Sequence, residues 1–203
     1  MEFLKKRQIT DFGESQEETG LAFLDLTYTH SNKIFHLLAR EGVVKDDSSS
    51  QTLASFLEVV SFVHCWTEME VERRVSRQVF EGLSRVLSDV KTSWGSFFAH
   101  PTEEPRLENE SVESVHAFMT RRCGQYHVSY LSNLQTDGRL HALRTCSAAF
   151  LENVLPGYIS PLKGSREDQE RTNNLNDPIL HYIGEIIYEL DRDINFILAQ
   201  HIL

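Results

Sequence analysis

From Met1 to His100 the chain contains no proline, and all five prolines lie at or after Pro101. That half of the molecule also lacks any short β-branched run bounded by turn residues. Uninterrupted amide donors and apolar residues recurring every three to four positions predict helices. Five helical segments follow from period and punctuation.

The first is expected over about Glu17 to Glu41, stopping at Gly42. Leu21, Leu24, Tyr28, Phe35 and Leu38 line one side, and Phe23, Leu26, Ile34 and Leu37 the other, so this helix should sit between two neighbours. The second segment, about Gln51 to Ala99, is too long for one ordinary globular helix. A break is expected near Gly82 or within Ser88–Lys91. From Leu53 to Trp66 it is apolar nearly all round, which marks it as the central buried helix.

A third helix, Ser111 to Leu134, should end at the turn Thr136-Asp137-Gly138, and a fourth, Arg139 to Leu155, before Pro156-Gly157. Asp177-Pro178 pairs an N-cap with proline at the first helical position, opening a last helix striped by Ile179, Ile183, Ile186, Ile187, Leu190, Ile194, Ile197 and Leu198. The expected fold class is all-α: a single-domain bundle of about five helices, residues 1–203, with a long central second helix. Residues 1–16 are expected to be a flexible N-terminus, and 100–110 and 157–177 polar loops.

A net charge of -10 and a pI near 5.3 make the whole molecule repel phosphate backbones and anionic lipid, so nucleic acid and membrane are not the expected partners. One region departs from that balance. Between Ser114 and Leu151, four arginines (Arg121, Arg122, Arg139, Arg144) stand against one aspartate, a net of +3. This basic face suits docking of an acidic protein partner, or pairing with the chain's own acidic helices. The cysteines Cys65, Cys123 and Cys146 are odd in number and form no C-x-x-C pair, which predicts buried thiols in a reducing compartment. With no apolar core in its N-terminal stretch and no membrane-length apolar run, the protein is expected in the cytoplasm or nucleus.

The stretch His64-Cys65-Trp66-Thr67-Glu68-Met69-Glu70-Val71-Glu72 places a histidine and three carboxylates inside the apolar helix. His64 falls in line with Leu57, Val60 and Val71, and Glu68 follows one turn later as its expected hydrogen-bond partner. Glu70 and Glu72 are expected to turn to solvent beside Arg73 and Arg74. His30 lies among Phe23, Leu26, Ile34 and Leu37, and His116 flanks the stripe of the third helix. Together His30, His64, Glu68 and His116 form a candidate metal site for iron or zinc in the bundle interior. The repeated E-x-x-H of iron-carboxylate bundles is absent. His181 and Glu185, also four apart, point away from the isoleucine stripe.

Arg122-Cys-Gly-Gln-Tyr-His127 resembles the R-x(4–6)-H pattern of the HEPN-type helical ribonucleases, without the polar residue usual after the arginine. That resemblance implies RNA cleavage by Arg122 and His127. The leading expectation is a non-enzymatic protein acting through protein–protein interaction, adaptor or regulatory in type, with self-association open. The alternatives are a bundle metalloprotein (oxidoreductase or sensor) and a HEPN-like ribonuclease.

Overall fold

The structure, a computed structural model, describes residues 14–44, 50–99, 111–154 and 178–201, and these contain helices and no strand. The expected loops 100–110 and 157–177 and most of the expected flexible N-terminus lie outside the described residues. The helices are α1 (Glu14–Arg40), α2 (Ser50–Arg74), α3 (Arg77–Ala99), α4 (Val112–Val154) and α5 (Pro178–His201).

Gly42 ends α1 as its sequence requires. It adopts φ 71°, while its amide donates to the Ala39 carbonyl at 3.0 Å and the Val43 amide to Leu38 at 2.8 Å, satisfying carbonyls that the helix leaves open. The stripe Phe23, Leu26, Ile34 and Leu37 is buried throughout, and on the other side Leu24, Phe35 and Leu38 are buried while Leu21 and Tyr28 are half-buried.

The long second segment breaks at Val75-Ser76, not at Gly82 or Ser88–Lys91. The physical reason is capping. Ser76 accepts from the Phe80 amide through its carbonyl at 2.9 Å and from the Val79 amide through its hydroxyl at 3.5 Å, starting α3, while Gly82 stays helical on an exposed face. The remaining α2 is buried on every side from Leu57 to Thr67. Buried hydroxyls there need no outside partner: Ser61 donates to the Leu57 carbonyl at 2.8 Å and Thr67 to Val63 at 2.9 Å.

At Gly138, φ 78° and ψ 176° interrupt α4, a conformation open essentially to glycine alone. The chain reverses there. Arg122 bonds to Asn153 at 3.0 Å and the Cys146 thiol reaches the Tyr126 carbonyl at 3.8 Å, so the two arms of α4 run back along one another. The reversal falls at Gly138, the glycine that closes the expected turn.

One hydrophobic cluster draws on all five helices. Phe62 of α2 stacks on Phe150 at 4.5 Å and meets Tyr126 edge-on at 5.4 Å, seating α2 between the arms of α4. Trp94 of α3 packs with Tyr28, Phe56, Phe97 and Phe98. Gly95 permits close approach, since a Cβ there would come within 3.1 Å of Val112. The buried isoleucines of α5 pack chiefly on α1.

Candidate functional site

Two carboxylates of the central helix, Glu58 and Glu70, are buried, and a buried carboxylate must be paired or neutralised. Each organises its own polar centre. Glu58 accepts from Arg122 Nε at 2.8 Å and from the Tyr126 hydroxyl. Arg122 continues to Asn153 Oδ1, and Asn153 Nδ2 donates back to the Tyr126 hydroxyl at 3.2 Å, closing a ring that joins α2 to both arms of α4. Burial raises the Glu58 pKa above its ordinary value against the opposing pull of Tyr126 and Arg122.

Glu70 lies one turn before the end of α2, with its side chain 1% exposed. It accepts from Arg73 at 2.8 Å, stands 2.9 Å from Arg74 and 3.2 Å from Arg139, and takes the Tyr130 hydroxyl at 3.3 Å. Asp191 of α5 extends this centre. It pairs with Arg139, receives Trp66 Nε1 at 2.9 Å, and offers its backbone carbonyl to Arg74 at 2.9 Å. Burial alone would raise the Glu70 pKa, but the Arg73 hydrogen bond and the charges of Arg139 and Arg74 outweigh it and hold the carboxyl below its ordinary value. Glu70 was expected at the surface; helical position alone put it beside Arg73 and Arg74, whereas α4 and α5 close over it. Glu72 is exposed as expected.

Of the four predicted metal ligands, His30 stands apart against Asp193, while the half-buried His116 and Lys91, which holds Glu68, lie near enough to His64 to act on its charge. His30 is buried and bonds through Nε2 to Asp193 at 3.0 Å. Glu68, 32% exposed at its side chain, faces Lys91 at 3.8 Å and not His64. His64 is fully buried, and among the described residues neither ring nitrogen has a hydrogen-bond partner. Burial, then the nearby charges of Lys91 and His116, lower its pKa to about 3, so the ring is neutral. No group of three or more His, Cys, Asp or Glu among the described residues is placed to hold a metal ion. A neighbouring lysine also disfavours a cation beside His64.

Of the four predicted partner-binding arginines, Arg122 and Arg139 turn inward to Glu58, Glu70 and Asp191. Arg121 and Arg144 remain exposed, Arg121 lying over the Phe118 ring at 5.6 Å. Arg122 and His127 are five residues apart on one helix and so diverge by about 140°. The cysteines are free and buried, and burial raises the pKa of both Cys65 and Cys146.

The exposed apolar side chains are what the periodicity did not single out. Val128 is 67% and Leu131 46% exposed on α4, and Tyr188 74% and Phe196 62% on α5. The available signal was their position opposite the buried stripes. No helix among the described residues is long and apolar enough to cross a membrane. No known protein-family model, curated protein or solved structure matches this chain.

Proposed function

We propose that this chain is a non-enzymatic helical interaction protein that presents the outer face of the first arm of α4 to a protein partner. The observation that carries the reading is the exposure of Val128 and Leu131 on that arm. Ala117, Arg121 and Gly124 continue the same face at alternating four- and three-residue spacing, and all are exposed. Exposed apolar side chains lined up on one helix face support recognition. Arg121 on the stripe favours an acidic partner, since it stays exposed while Arg122 and Arg139 of the same basic region are held by internal carboxylates. Free thiols in the core suit a reducing compartment, cytoplasm or nucleus.

The test is binding between two purified components. A partner recovered with the wild-type protein is purified and titrated against wild type, Val128→Glu and Arg121→Glu. Tenfold or greater loss with both variants is expected; a partner bound equally by all three removes the α4 face from the reading.

A second reading, a bundle metalloprotein holding iron or zinc, draws on the unpartnered ring of His64. Elemental analysis of untagged protein decides it. About one equivalent of metal, lost in His64→Leu, supports it, and metal-free protein ends it.

A further inference from the structure

The outward face of α5 is built differently from that of α4, with large aromatics and charges of both signs. Tyr188, Arg192 and Phe196 follow one another at four-residue intervals and are all exposed. Glu185 shares the face. The Arg192 and Glu185 side chains are 72% and 61% exposed, and their contacts are exposed ones on their own helix: Arg192 with Asp193 at 3.3 Å, Glu185 with His181 at 3.4 Å. Tyrosine, arginine and phenylalanine are residue types that anchor protein interfaces.

Their order along the helix is self-complementary. Glu185 and Arg192 lie equally far on either side of the midpoint between Tyr188 and Glu189, and so do His181 and Phe196. We propose that α5 pairs antiparallel with α5 of a second copy of this chain, about a two-fold axis at that midpoint. Under this symmetry the Glu185 carboxylate meets the second copy's Arg192 and Arg192 meets the second copy's Glu185, forming two identical ion pairs. Tyr188 meets Tyr188 of the second copy beside the axis, and Phe196 falls against the His181-Tyr182 end of the opposite helix. A parallel arrangement would instead set Glu185 against Glu185 and Arg192 against Arg192.

One like-charged pair opposes the arrangement. Glu189 meets Glu189 across the other flank of the axis, but each is already bound to Lys33 of its own copy at 2.7 Å, which offsets the repulsion. A single helix pair between two acidic chains gives a weak, concentration-dependent dimer. The pairing uses α5 and stands independently of the α4 face.

The experiment is sedimentation equilibrium of the full chain from low micromolar to millimolar concentration, for wild type, Arg192→Glu, Glu185→Arg and the double swap. The altered side chains are exposed, and thermal melts confirm folding. Wild type is expected to dimerise, each single reversal to weaken the dimer at least tenfold, and the swap to restore it to within a few-fold. Tyr188→Ala should weaken it as well. A wild type that stays monomeric overturns the proposal, as do single reversals without effect, a swap that fails to rescue, or a dimer abolished by Val128→Glu.

Discussion

Arg139, the first residue beyond the Gly138 reversal, sets its guanidinium 3.2 Å from the Glu70 carboxylate on the central helix and pairs at the same time with Asp191 of α5. One side chain thus ties the turn of α4 to two other helices. The pair is asymmetric in exposure, Arg139 being 42% exposed and Glu70 1%. Losing Glu70 would leave three arginines crowded without their common anion.

Glu70→Ala is therefore expected to cost about 1–3 kcal/mol, less than loss of one member of a fully buried pair, because Arg73 and Arg139 are half-exposed and Asp191 still pairs with Arg74 and Arg139. Urea unfolding measures it. Arg139→Ala, at a half-exposed site screened by water, should cost clearly less. An equal loss in the two variants would contradict this account of the centre.

Gly138 holds a backbone conformation that side chains with a Cβ rarely adopt, although nothing stands within 4 Å of where that atom would be. The expected penalty of Gly138→Ala, about 1–3 kcal/mol, is thus conformational and not steric. Gly124→Ala, at an exposed helical site equally free of neighbours, should instead stabilise α4 by up to about 1 kcal/mol. Thermal melts of the two variants shifting in opposite directions would establish the difference.

His64 gives the protein a defined acid sensitivity. Its ordinary value is 6.5 and its folded value about 3, so below pH 6.5 the unfolded chain takes up a proton that the folded chain refuses until about pH 3. Stability is unaffected above 6.5 and falls as pH drops through that window, by about 4–5 kcal/mol in total at roughly 1.4 kcal/mol per unit. Glu70 adds to the acid loss only below its ordinary 4.5, because its folded pKa is depressed. His64→Leu should reduce the decline between pH 6.5 and 4.5, to which His30, also held below its ordinary value by burial, still contributes, and should be neutral or stabilising at pH 7, since it removes two unpaired nitrogens. Denaturation midpoints against pH for the two proteins test this.

Cys65, Cys123 and Cys146 are expected to resist thiol reagents in the native state and to react together on unfolding. All are buried, and burial holds the Cys65 and Cys146 thiols protonated. Labelling with a chromogenic disulfide at pH 8, with and without urea, counts them. A thiol that labels at once in native protein would contradict the packing.

Much of the fold was legible along the chain. Gly42, Gly138 and Pro178 mark a helix end, a reversal and a helix start through local backbone chemistry, and the α1 and α5 stripes are spaced so regularly that only a helix buries them together. The Val75-Ser76 break was not, because a lone serine cap among helix-compatible residues looks like any other surface serine. The site was harder still. Periodicity places His64, Glu68 and His30 toward an interior, yet it cannot say that Lys91 takes Glu68 or that Asp193 takes His30.

The same limit explains Glu70, Arg122 and Arg139. By itself the sequence determined which residues are helical and which faces are apolar, because these depend on contacts a few positions apart. Only the tertiary structure decided which charges meet in the core and which aromatics stay outside, because those outcomes depend on groups brought together from distant helices, and desolvation makes each charge costly until its partner arrives.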